Sequence, residues 1–197
     1  LSHLNLSHAN LSRTNFIGTN FNGTNLSNAN LSKANFSKTN FHNANLSNAN
    51  MHGTDFSYAD LSYADLSCSN LEHAFLVNAN LFCTNFIDAD LNNANMWGTD
   101  IHRTCMIGAD LHHASFYKTK LLNADLSWSN LDDANFIDAN IKNSNMSFAN
   151  LEYTNMRNAS IIDTKLDNAY MLHTNLSGVN ISEIDVSKAS VFQPSYI

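Results

Sequence analysis

Every fifth residue from Leu1 to Val191 is Leu, Phe, Met, Ile or Val, without a slip of phase. Neither common element buries such a set. An α-helix turns about 100° per residue, so a step of five advances the next apolar side chain by roughly 140° and scatters the set around the circumference. A straight strand alternates its side chains, so an odd spacing throws successive members onto opposite faces. The spacing works only if the chain turns a corner every five residues and keeps each fifth side chain, the centre of its pentapeptide, pointing inward.

The other registers agree with that path. Two residues before each centre, from Ala9 to Thr174, the chain carries only Ala, Ser or Thr, as expected of a second inward position with little room. The residue just before the centre is mostly Asn or Asp, and the one just after is often Ser, as in Leu6-Ser7 and Leu26-Ser27. All six glycines (Gly18, Gly23, Gly53, Gly98, Gly108, Gly178) lie two residues after a centre, a register shared with Asn28, Asn43 and Asn48. A type II turn needs positive φ there, which Gly and Asn tolerate.

Residues twenty apart share character. Phe16, Phe36, Phe56, Phe116 and Phe136 fall in one column, and the column of Ala9, Ala29, Ala49, Ser69, Ala89, Ala109, Ser129, Ala149 and Ala169 never uses Thr. The expectation is an all-β solenoid: a right-handed quadrilateral parallel β-helix with four pentapeptides per coil. It has roughly ten coils spaced about 4.8 Å apart, the hand following the preference of parallel connections. The repeat domain spans 1–191 and a C-terminal cap or tail 192–197. Val179 and Ile184 enlarge the small position near the end, and Pro194 breaks the pattern. Phe192, Tyr196 and Ile197 then cover the last coil or pair there with a second copy, giving a homodimer. The chain opens at Leu1 already in phase and without Met, which reads as a fragment or trimmed product.

Ala9-Asn10-Leu11-Ser12-Arg13 and Ala64-Asp65-Leu66-Ser67-Cys68 carry a whole-chain resemblance to the pentapeptide repeat proteins. The resemblance implies the right-handed quadrilateral β-helix. It implies little about activity, because function lives in sites placed on a fold. One branch of the family resembles duplex DNA in shape and inhibits or protects DNA gyrase. Several members of that branch insert projecting loops between coils, which this chain lacks.

Catalysis is not expected. Serine is abundant, yet no Gly-Xaa-Ser-Xaa-Gly turn or phosphate-cradling glycine loop occurs. A convex rod filled with Leu and Phe leaves no substrate-sized pocket. The nine histidines are spaced wrongly for a metal: His73 and His113 share a column but stand two coils apart, about 10 Å. His52 over Glu72 and His112 over Asp132 read as stacked polar pairs. No cofactor is implied. Cys68, Cys83 and Cys105 are odd in number and never twenty apart, against a disulfide framework. With no long apolar run and no signal-peptide pattern, a cytoplasmic location and no membrane association are expected.

Two surface features bear on partners. Residues 1–54 hold Arg13, Lys33 and Lys38 and no acid, whereas 55–110 hold eight acids against Arg103. An acidic rod can imitate DNA phosphates toward a basic DNA-handling protein, although Asp55, Asp60, Asp65, Asp90, Asp100 and Asp110 merely replace Asn in its own register. Direct nucleic-acid binding is not expected. The second feature is apolar. Val77, Trp97, Tyr117 and Ile137 form one column in the outward register after the centre, and Phe82, Trp128 and Phe148 are also outward. A contiguous exposed patch marks an interaction site, and the alternative is mutual stacking that only stabilises the ladder. The reading is a non-catalytic repeat scaffold binding a protein partner of unknown identity through these faces, with a DNA-mimicking inhibitor or protector of gyrase or another topoisomerase as the alternative.

Overall fold

A computed structural model describes residues 1–195; Glu183 and residues 191–195 are described by their backbone alone. Parallel bridges join residue to residue twenty positions on, from Asn5–Asn25 and Asn10–Asn30 through Asn155–Asn175. Twenty residues are four pentapeptides, so each coil of this parallel β-helix lies on the one before it with every column in phase. Longer ladder segments appear where the pairing extends beyond one residue: β1 (Lys120–Leu122) on β2 (Asn140–Lys142), and β3 (Tyr170–Asn175) on β4 (Val191–Ser195).

Where Asn or Asp precedes the centre, a pentapeptide can place all five of its backbone donors, as residues 26–30 illustrate. Leu26 N–H donates to the Asn45 carbonyl at 2.7 Å and Asn28 N–H to Ser47 at 3.0 Å, both in the next coil. Asn30 N–H donates to Ala9 in the previous coil at 2.9 Å, and Ala29 N–H closes the turn on Leu26 at 3.0 Å. The fifth, Ser27 N–H, has no backbone partner; the Asn25 side-chain oxygen accepts it at 3.1 Å. Because an unpaired amide is costly once shielded from water, this bond explains why Asn or Asp precedes the centre. It recurs at Asp55, Asp60, Asp65, Asp90, Asp110 and Asp125.

The interior is formed by the two inward registers. Centres from Phe21 to Leu176 are buried, with Ala between them. Where the small position is a buried Thr, its hydroxyl also has a partner: Thr39, Thr54, Thr84 and Thr154 donate to the carbonyl of a centre 23 residues earlier, at 2.8–2.9 Å. In the column without Thr, Ser69 and Ser129 bond instead to their own turn, at Leu66 and Leu126. The predicted phenylalanine column forms a stack, Phe16 on Phe36 at 5.4 Å, Phe36 on Phe56 at 5.7 Å and Phe116 on Phe136 at 4.3 Å between centroids. Phe21 and Phe41 form a second stack edge-on to the first.

The expected phase does not survive to Val191. Ile181, a centre by count, is 52% exposed in a 3-10 turn, Ile181–Glu183, whose preceding Asn180 accepts the Ser182 N–H. Against β3, β4 pairs at a separation of 21 from Tyr170–Val191 to Leu172–Gln193 and returns to twenty at Asn175–Ser195. The last coil is therefore irregular, with a register shift between Leu172 and Asn175, even though Val186 and Val191 keep the five-residue count. Pro194 lies within β4 rather than ending the structure. Of the expected dimer end, Phe192 belongs to β4, and Tyr196 and Ile197 lie outside the described residues.

Candidate interaction edges

The two residues after each centre turn outward, and the twenty-residue coil stacks them into four edges. The second of the two has positive φ at every repeat from His3 to Gly178, between 51° and 75°. Gly and Asn suit that region, but Tyr58, Tyr63, Trp128, Phe148 and Tyr153 occupy it too, and a bulky residue there is strained. These aromatics are exposed, so core burial does not offset that strain.

The sequence-predicted partner residues fall on three edges. Val77, Trp97, Tyr117 and Ile137 follow one another on the Tyr117 edge, one per coil. Trp97 is 48% exposed and lies 6.4 Å from Tyr117, ring to ring. The Lys118 ammonium sits 4.9 Å from the Tyr117 ring centre; its pKa is raised above the ordinary lysine value, first by the hydrogen bond to Tyr117. Trp128 and Phe148 lie half a coil away, stacked at 4.2 Å with ring planes 3° apart. Phe82 belongs to a third edge, in a run of rings the sequence reading missed: His42 to Tyr63 at 5.4 Å, Tyr63 to Phe82 at 5.3 Å and Phe82 to His102 at 5.6 Å. The seven residues are therefore not one patch. Applying the twenty-residue period to the outward registers exposes both the separation and the missed run.

The fourth edge carries histidines and acids. Glu72 reaches His52 at 3.2 Å, as its column predicts, and also His73 at 3.5 Å. The second expected pair does not form: His112 Nδ1 meets Asp110 of its own pentapeptide at 2.8 Å, while Asp132 Oδ1 is buried without a partner. A carboxylate two residues back is within reach of the ring by one rotamer choice, which column arithmetic ignores. Among the described residues no group of three or more His, Cys, Asp or Glu side chains is placed to hold a metal ion. Among the described residues no helix is long and apolar enough to cross a membrane. Cys68, Cys83 and Cys105 are free thiols, and burial pushes the Cys105 thiol above the usual range.

These features define a repeat solenoid whose side chains diversify only along its edges. The family model for pentapeptide repeats matches in eight copies over residues 1–32, 34–72, 59–98, 98–133, 119–158 and 154–190, so the chain belongs to the pentapeptide-repeat family. Among solved structures it is similar to HetL, a pentapeptide repeat protein involved in heterocyst differentiation regulation from the cyanobacterium Nostoc sp. strain PCC 7120. The two share 29% identity over 90% of this chain and 89% of that one, with a TM-score of 0.64. It is also similar to trypsin-treated QnrB1, a plasmid-mediated fluoroquinolone resistance protein, at 18% identity over 99% of this chain and 88% of that one, with a TM-score of 0.55; that likeness shows the fold alone. Both neighbours imply a right-handed β-helix. No curated protein matches the chain in sequence.

Proposed function

We propose that this chain is a non-catalytic scaffold, a four-sided rod of roughly ten coils, that binds another protein along its Tyr117 edge. The observation that carries the reading is the unbroken line of Val77, Trp97, Tyr117 and Ile137, in a register that elsewhere in the same column holds Ser37, Ser57 and Ser177. Four successive coils place apolar groups side by side where water would otherwise lie, and half-exposed aromatics on a rigid ladder are the side chains that anchor interfaces. A ladder needs no such residues for its own stability, since serine serves in the same column. Imitation of DNA, and with it action on gyrase, has less support: Asp55, Asp60, Asp65, Asp90 and Asp110 each accept a backbone N–H, so their place follows from the turn.

The test is site-specific photocrosslinking in cells of the source organism, with the crosslinking residue at position 97, 117 or 57 in turn. Positions 97 and 117 are expected to trap the same protein and position 57 to trap none of it. The double variant Trp97→Ser, Tyr117→Ser is expected to lose at least about tenfold in affinity for that protein, the scale of two interface anchors, with an unchanged circular dichroism spectrum. Unaltered affinity in the folded double variant removes the reading.

A further inference from the structure

The apolar line on the Tyr117 edge has the same character read in either direction. Val77, Trp97, Tyr117 and Ile137 place an aliphatic side chain at each end and two aromatics in the middle, one per coil, and polar Ser57 and Arg157 end the line. Val77, Tyr117 and Ile137 are half-buried, and Trp97 is the most exposed of the four. A two-fold interface requires this kind of order, because each residue must suit the one that the axis sets opposite it. An axis across the rod, halfway between the coils of Trp97 and Tyr117, turns a second copy antiparallel. It sets Trp97 against Tyr117 of the second copy, and Val77 against Ile137.

A second column, on the adjoining face, is ordered in the same way. Asp100 and Lys120 are exposed, bridge each other in the ladder, and stand three residues after Trp97 and Tyr117. The same axis sets Asp100 against Lys120 of the second copy and Lys120 against its Asp100, so four charges alternate in sign around the axis. Both residues occupy the register that mostly holds Asn, and both give up the bond that favours Asn there. Asp90 and Asp110 accept the N–H two residues on, and a lysine ammonium has no acceptor to offer. Among the described residues the Asp100 carboxylate makes no hydrogen bond or ion pair, and the Lys120 ammonium has no partner in its own chain. Between the two columns Gly98 presents no side chain and Thr99 is buried, so nothing stands out from the surface between Trp97 and Asp100 but the Asn78 carboxamide oxygen that leans over Gly98. Lys118 of the second copy faces that oxygen, and its Asp138 faces Asn78, so no like charges meet.

We propose that the Tyr117 edge joins two copies of this chain in an antiparallel homodimer, with Trp97 and Tyr117 as its central anchors and the Asp100–Lys120 contacts fixing its direction. The inference rests on the reading of this edge as a binding surface and identifies what it binds. An axis along the rod would instead bring Trp97 to Trp97 and leave Asp100 and Lys120 on opposite flanks of the contact, still without partners. Four coils of edge span about 19 Å, so the interface is of the small, weak class and forms at high concentration.

The experiment is sedimentation equilibrium of the chain in about 0.15 M salt. The weight-average mass is expected to exceed about 1.5 times that of one copy by about 0.5 mM. Asp100→Lys sets lysine against lysine across the axis and Lys120→Asp sets aspartate against aspartate, and each alone is expected to weaken association at least about tenfold. An equimolar mixture of these two variants restores opposite charges at both contacts. It is expected to associate at least as strongly as the parent, a rescue that pairing within one chain does not produce. Trp97→Ser added to both members is expected to weaken the mixture about tenfold, which separates docking from simple attraction between chains of different charge. Circular dichroism confirms that each variant is folded. A parent that stays monomeric at about 0.5 mM, a mixture no stronger than its members, or an association unmoved by Trp97→Ser overturns the homodimer. Photocrosslinking from position 97 separates that failure from failure of the edge itself: a trapped protein other than this chain removes the homodimer and leaves the edge a binding surface, whereas no trapped protein removes both.

Discussion

Phe36→Ala is expected to destabilise the rod by about 3–5 kcal/mol, the range for removing a buried aromatic, measured as a lower urea midpoint in equilibrium unfolding. Phe36 is fully buried and touches four other phenylalanine rings: Phe16 and Phe56 above and below in its stack, and Phe21 and Phe41 edge-on. The coil spacing is held by backbone ladders on every side, so the neighbouring coils cannot close over the gap and the cavity persists. The loss is also local. Each coil contacts only the next, so solenoid stability behaves as a sum of coil and interface terms, and amide exchange is expected to rise first in coils containing residues 16–56. Phe36→Leu restores the commonest centre and is expected to cost less than half as much. A Phe36→Ala loss below about 1 kcal/mol contradicts a rigid interior.

Ala109→Leu is expected to cost about 1–3 kcal/mol, more than most single exposed changes on the rod. Ala109 is fully buried between the centres Met106 and Leu111, in the column that holds only Ala and Ser. Its neighbours in that column, Ala89 and Ser129, are equally buried, so three added carbons have no place to go without lifting a coil off its ladder. A lower unfolding midpoint with an unchanged denaturant slope is the expected reading. Wild-type stability in Ala109→Leu means that the inward small register has space to spare and that its composition has another cause.

The inward half of the molecule was legible because packing permits few alternatives there. A period of five that excludes helix and strand, Ala, Ser or Thr in the tight register, and phenylalanines twenty apart each led to a feature present in the fold. The buried Thr bonds were not legible, since a hydroxyl meeting a carbonyl 23 residues back depends on how the coils are offset. Nor was the acceptance of Trp128 and Phe148 at positive φ, which runs against residue preference. The outward half was read less well. Phe82, Trp97 and Trp128 are near one another in sequence yet stand on three edges. His112 chose Asp110 over the acid in its column, and the last coil departs from the twenty-residue pairing while the apolar count keeps time. Outward side chains answer to rotamers and local bonds, which periodicity does not specify.

The central claim is that four pentapeptides make one coil, and a single distance tests it. Asn28 and Asn168 share a column and are both exposed, separated by seven coils of the observed twenty-residue register. With both changed to spin-labelled Cys, and Cys68, Cys83 and Cys105 changed to Ser, pulsed electron resonance is expected to give a narrow distribution centred at about 34 Å, seven rises of about 4.8 Å. Three pentapeptides per coil would place the labels about 45 Å apart and five per coil about 27 Å; a distribution centred at either value contradicts the four-pentapeptide coil.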